Sequence, residues 1–192
     1  MARTGRRPGG TDTRGAILEA ARIAFAETGY HGATIRGIAA AAGVDPALVH
    51  HYFGAKDDLF AAAIRLPLRP VQAAETILAG GADEVGERVA RLFFSVWETP
   101  DSRDALLAML RGAFVTEQAA RSLQEFFESV LVERIAPTLD VPDPRLRMSL
   151  VASHMVGVAV LRYVVGFEVL RETSVEDLVS LIAPRLQSYV TG

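Results

Sequence analysis

A chain of 192 residues has room for one domain of ordinary size, or for a small module joined to a somewhat larger one. Half of its residues are apolar, 22% are charged and the formal net charge is −3, which secures a packed core, excludes wholesale disorder and argues against coating nucleic acid by bulk charge. The absence of cysteine excludes disulfide scaffolds, thiolate metal sites and cysteine nucleophiles.

The charge is unevenly spread. Residues 1–36 hold six arginines (Arg3, Arg6, Arg7, Arg14, Arg22, Arg36) against Asp12, Glu19 and Glu27, so this end is basic and the remainder carries −6. That asymmetry points to a polyanion met by one end only. The first ten residues lack the apolar run of a signal peptide and read as a flexible basic arm. Its arginines either track a minor groove or solubilise a tail.

In chain order, Ile17, Ala21, Ala24 and Phe25 share one helical face, flanked by Leu18 and Thr28, and Gly29 is the expected stop. Ile35, Ile38, Ala39 and Ala42 repeat at helical spacing behind an N-cap at Thr34, with Gly43 ending the helix. Asp45-Pro46 combines an N-cap with proline at the first helical position and opens a third short helix, which runs to about Tyr52. A fourth begins near Lys56; Pro67 and Pro70 should kink or break it. Further helices are expected over 83–97, 100–114, 116–139 and 144–167, the last opened by a second Asp-Pro pair at Asp143-Pro144. Thr173 and Glu176 have capping-box spacing ahead of a final helix that reaches Tyr189. The fold class is therefore all-α, with roughly nine helices. Residues 151–170 are as long as a membrane span but include His154, Arg162 and Glu168, so a buried helix of a cytoplasmic protein is expected, with no membrane partner.

Two short helices joined by a glycine turn raise the question of a helix-turn-helix. Residues 34–53 meet its requirements: Gly43 lets the backbone reverse, while Ile38, Ala39, Val44, Val49 and Phe53 can pack the pair together. Pro46, Ala47 and His50 remain on the far side, free to enter a major groove about 12 Å wide. The run Ile17-Leu18-Glu19-Ala20-Ala21, then Phe25, Gly29-Tyr30, residues 34–39, Ala42-Gly43-Val44, His51-Tyr52-Phe53, Lys56 and Leu59-Phe60 resembles the DNA-binding domain of the tetracycline-repressor (TetR) family. The resemblance covers about 11–60; beyond that it extends to the helix count and the long final pair, together with the Arg145-to-Tyr163 stretch, which looks like regulators of this type from high-GC bacteria.

The resemblance implies roles residue by residue. Thr34 matches a hydroxyl that contacts phosphate, a role compatible with its N-cap, and Arg36 can reach the backbone or a base edge. Asp45, Pro46, Ala47 and His50 occupy base-approaching positions, although capping alone also accounts for Asp45. His51 lies on the same DNA-facing stretch, Tyr52 matches a phosphate contact and Lys56 the lysine that holds the backbone. His50 stands where tyrosine is commoner in the family. Adjacent helical histidines point about 100° apart and lack a third ligand, so no metal site is expected at His50-His51.

Residues 61–192 show no nucleophile turn, phosphate-cradling loop or spaced carboxylate motif, so no enzyme and no cofactor are expected. The resemblance implies that this part binds a small molecule and dimerises. Phe93, Phe94, Trp97, Met109, Phe114, Phe126, Phe127 and His154 are the pocket candidates, with plain core as the alternative reading of the aromatic residues. Gly157, Val158, Leu161, Val165, Leu178, Leu181, Ile182 and Leu186 are candidates for a self-complementary interface, with an internal core as the alternative. Close helix approach would account for Gly157. The expected partners are a double-stranded DNA operator, a small-molecule effector and a second copy of the chain. An activator with the same DNA domain, or a helical binder or enzyme that does not touch DNA, are the rival readings.

Overall fold

The computed structural model describes residues 12–63 and 70–191, without the side chains of residues 70, 122, 126 and 130. The expected basic arm, the break at Pro67 and the pocket candidate Phe126 lie outside what is described. Among the described residues there are 11 α-helices and no strand.

The first four are α1 (Thr13–Gly32), α2 (Ile35–Ala41), α3 (Pro46–Phe53) and α4 (Lys56–Ala63). Local signals set their ends. Asp12 accepts from the Gly15 N–H at 2.8 Å, Thr34 from Gly37 at 3.0 Å and Asp45 from Ala47 at 2.8 Å, each satisfying a donor orphaned at a helix start. Gly29 (φ 75°) interrupts α1 where the sequence places a stop, and the chain resumes helical form only as far as Gly32. Gly43 (φ 68°) makes the turn from α2 to α3 in a backbone region that other residues enter at a cost. Ile17, Phe25, Ile38, Val49, Phe53 and Leu59 bury their side chains together. Phe60 closes this core edge-on to Phe25, with ring centres 4.8 Å apart.

The remainder comprises α5 (Pro70–Leu78), α6 (Val85–Trp97), α7 (Pro100–Ala113), α8 (Glu117–Phe127), α9 (Pro144–Ala159), α10 (Glu168–Glu172) and α11 (Val175–Thr191). Helix α11 runs along α6 and α9, α7 packs on α8, and α1 rests against α8. Two expected long helices are broken. After Phe127 the chain widens into π-type turns at Glu128–Val132 and then tightens at Ala136–Thr138, where Pro137 lacks the N–H to continue. After Ala159 the turns widen again over Val160–Val165, and Gly166 (φ 74°) ends them, so that α10 is a separate piece.

Two expected caps are also corrected. Ser174, not Thr173, caps α11: its Oγ accepts from the Asp177 N–H at 3.1 Å and donates to the Asp177 carboxylate at 2.7 Å. The Thr173 hydroxyl instead donates back to the Val169 carbonyl, and Glu176 pairs with Arg91. Asp143 does not repeat Asp45. It sits in the left-handed region (φ 52°) with no capping bond, while the Arg147 guanidinium holds the turn through the Pro142 carbonyl at 2.8 Å.

Candidate nucleic-acid interface and ligand cavity

Helix α3 buries Val49 and Phe53 and leaves Ala47, His50, His51 and Tyr52 exposed, with Pro46 half-buried at its start. One face therefore packs, and the face at and after the N-terminus is free. Asp45 is held as the N-cap through its bond to Ala47. The His50 Nδ1 lies 3.0 Å from the Gly54 carbonyl. A carbonyl only accepts, so Nδ1 carries the hydrogen, and in the neutral ring Nε2 is left as an outward acceptor. The rings of His51 and Tyr52 meet edge-on at 5.3 Å. Thr34 and Arg36 are exposed at the start of α2, on the flank of α3.

Lys56 is not a free surface cation. Its ammonium lies 4.5 Å over the Tyr30 ring and donates to the His31 carbonyl at 3.4 Å. Partial burial lowers its pKa below the ordinary lysine value, and nearby Glu125 opposes that shift. The same Glu125, on α8, accepts from the His31 N–H at 2.9 Å, and Arg134 pairs with Asp57 of α4. Lys56 thus stands where the first four helices are fastened to the rest. Sequence spacing gives no sign of Glu125 or Arg134, because they act across 94 and 77 positions.

Between α6, α7, α8 and α9 lies a cavity of about 170 Å³. Phe93, Trp97, Met109 and Phe127 line it, as the sequence suggests, together with residues such as Leu106, Leu123 and Met155. Every lining side chain is apolar, so a ligand here is selected by shape and apolar area. Three pocket candidates fall elsewhere. Phe94 is 1% exposed and points into the α6–α11 core, since its neighbour Phe93 takes the cavity side of the helix. Phe114 is 73% exposed because α7 ends at Ala113 and leaves it on the following turn. His154 is half-buried with its ring 6.3 Å from that of Tyr189, off the cavity.

A family model for bacterial regulatory proteins of the tetR family matches residues 17–63, and one for the tetracyclin repressor-like C-terminal domain matches residues 83–190. The crystal structure of a TetR-family regulator from Streptomyces coelicolor A3 superposes with a TM-score of 0.56 at 40% identity, covering 98% of this chain and 99% of that one. The chain belongs to the TetR family. The transcriptional repressor AcnR of Corynebacterium glutamicum is 47% identical over 55 residues, or 29% of each chain. The transcriptional regulator BetI of Rhizobium meliloti is 34% identical over 114 residues, or 57% of this chain and 56% of its own. The chain thus spans between about a third and just over half of the length of the curated relatives it matches.

The sequence-suggested interface residues lie on α9, α11 and the turns that follow α9. Gly157, Leu161, Val165 and Leu181 are exposed, and Leu146 and Leu150 extend the same apolar stripe along α9. Val158 is half-buried against the core. Leu178, Ile182 and Leu186 are buried inside this one chain against α6, so they are removed from the candidate interface. Helix 144–165 is long and apolar enough to cross a membrane, but only 28% of its most apolar window is buried. The expected buried helix is therefore corrected to one with an exposed apolar side. Gly157 meets nothing within 4 Å. Within the chain, the glycine of close approach is Gly86, where a Cβ would lie 2.5 Å from the Ala183 carbonyl oxygen and from the Gln187 nitrogen. Arg162, a charge on an otherwise apolar run that could orient a ligand or satisfy a buried neighbour, is 8% exposed and bonds to Glu98 and two backbone carbonyls.

Proposed function

We propose that this TetR-family protein is a cytoplasmic, homodimeric repressor that releases a palindromic operator when a small apolar molecule fills the α6–α9 cavity. The observation that carries this reading is the division of α3, with Val49 and Phe53 buried while Pro46, Ala47, His50 and Tyr52 face outward on a helix fixed at both ends. Two such helices related by a two-fold axis and set about 34–36 Å apart fit successive major grooves. The apolar stripe Leu146, Leu150, Gly157, Leu161 and Val165, joined by Leu181, supplies a face that a second copy would cover.

The route from ligand to DNA runs along α8. Leu123, Phe127 and Leu131 line the cavity, while Glu125 and Arg134 grip α1 and α4. A ligand that shifts α8 also shifts the groups that hold Lys56 and the recognition helix. Moving the population from 99:1 to 1:99 takes about 5.5 kcal/mol of differential binding, within reach of a buried apolar molecule.

His50, with Nε2 as acceptor, is suited to a base that offers an amino donor in the major groove, adenine or cytosine. The test is a mobility-shift and salt titration against the promoter upstream of the protein's own gene. His50→Ala is expected to relax base preference at one operator position by about 1–3 kcal/mol. Lys56→Ala is expected to weaken binding to all sequences and lower the salt slope by about 1. Parental binding by both variants would overturn the assignment of α3 and α4.

A further inference from the structure

Beside the apolar cavity lies a second concavity of a different kind. It measures about 390 Å³ and is lined chiefly by Glu98, Arg103, Leu107, Arg162, Tyr163 and Arg171. Glu98 follows the last turn of α6, Arg103 stands in the first turns of α7, Arg162 and Tyr163 belong to the wide turns that end α9, and Arg171 is on α10. A water's share of liquid is about 30 Å³, so the space admits an anion with an organic body.

The charges here do not balance. Arg162 is buried and donates to the Leu170 and Thr173 carbonyls and, at 3.1 Å, to Glu98 Oε1. The same oxygen accepts the Tyr163 hydroxyl at 2.8 Å. Burial and this bond to a carboxylate push the Tyr163 hydroxyl's pKa upward, so it stays a donor. The one carboxylate of the concavity is therefore taken by Arg162 and Tyr163. Arg103 and Arg171 have no ion-pair partner among the described residues. Arg171 lies over the turn at Gly166, its Cδ 3.7 Å from where a Cβ would stand. Two guanidinium forks that line one concavity without an ion-pair partner among the described residues suit an oxyanion, which each can grip through paired N–H donors.

We propose that this concavity is a second ligand site, separate from the apolar cavity, for a small organic oxyanion, a carboxylate or phosphate ester, held by Arg103 and Arg171 above the fixed Arg162–Glu98–Tyr163 floor. The assignment does not depend on DNA binding. The site has a link to the first. The Tyr163 ring stacks on Trp97 at 4.8 Å and 13°, and Trp97 lines the apolar cavity. An anion that draws in Arg103 and Arg171 acts on that stack, so the two ligands sense each other through one pair of rings.

Trp97 is the chain's one tryptophan and serves as the reporter. The full-length protein is titrated with inorganic phosphate, glycerol 3-phosphate and butyrate, each against sodium chloride at matched ionic strength, by tryptophan fluorescence and by calorimetry. At least one oxyanion is expected to saturate. Its half-saturation should rise at least tenfold in the Arg103→Gln/Arg171→Gln variant, whose helical circular dichroism and melting should stay parental because neither guanidinium makes an ion pair or hydrogen bond among the described residues. A response to both phosphate probes names the phosphoryl group as the ligand's anion, and a response to butyrate alone names the carboxylate. Absence of a saturable signal or heat from all three, or an unchanged half-saturation in the double variant, would overturn the site.

Discussion

The first four helices and the larger set from α5 to α11 obey the same physics but expose it to the sequence very differently. In α1–α4 the decisive bonds span two or three residues: Asp12 to Gly15, Thr34 to Gly37 and Asp45 to Ala47. The turns fall on Gly43 and Gly54, both at positive φ. In the larger part the decisive bonds span the chain. Gln187 accepts from the Gly86 N–H at the start of α6 across 101 positions, and Arg162 reaches Glu98 across 64. A pattern that depends on spacing sees the first kind and is blind to the second.

That difference explains which parts of the site were legible. Thr34, Asp45, Val49 and Phe53 fall where periodicity and capping rules place them. Among the aromatic residues of the larger part, residue type alone did not separate Phe93 on the cavity, Phe94 in the core and Phe114 in solvent. Which side of α6 faces which neighbour is decided by α11 and α9, and where α7 stops is decided by a turn with no strong breaker. The helix total came close because several breaks fall on glycine, as at Gly29, Gly43, Gly54 and Gly80-Gly81. The π-type widenings at 128–132 and 160–165 were invisible because these valine-rich segments hold no glycine or proline to signal a break.

The largest expected effect sets two phenylalanines against each other. Phe94→Ala removes a side chain that is 1% exposed and should destabilise the protein by about 3–5 kcal/mol, whereas Phe114→Ala should change stability by less than about 0.5 kcal/mol. Urea unfolding of the full chain measures both. Equal losses would show that position in the fold does not govern these aromatic residues.

Next come the two glycines. Gly86→Ala drives a methyl group into the backbone of α11 and should cost about 1–3 kcal/mol. Gly157→Ala meets open space within the chain and should leave the monomer unchanged or up to about 1 kcal/mol more stable, because alanine is the better helix former. If the α9 stripe is the dimer seam, Gly157→Ala should nevertheless raise the dissociation constant measured by sedimentation. A loss of monomer stability at Gly157 equal to that at Gly86 would reverse the assignment of close approach.

The smallest effects test whether local rules hold where they were legible and fail where they were not, on one dipeptide found twice. Asp45-Pro46 and Asp143-Pro144 read alike, yet Asp45 is extended and capping while Asp143 is left-handed and caps nothing. Asp45→Ala should cost about 1 kcal/mol and Asp45→Ser should recover most of it, because a serine hydroxyl can still accept from Ala47. Asp143→Gly loses no cap and relaxes a backbone conformation that favours glycine. The greater freedom of glycine in the unfolded chain offsets that gain, and the net should stay within about 0.5 kcal/mol. Thermal melts of the three variants decide the matter. A loss at Asp143→Gly as large as at Asp45→Ala would mean that the second aspartate is held by its side chain after all, and that the dipeptide carries the same instruction in both halves of the molecule.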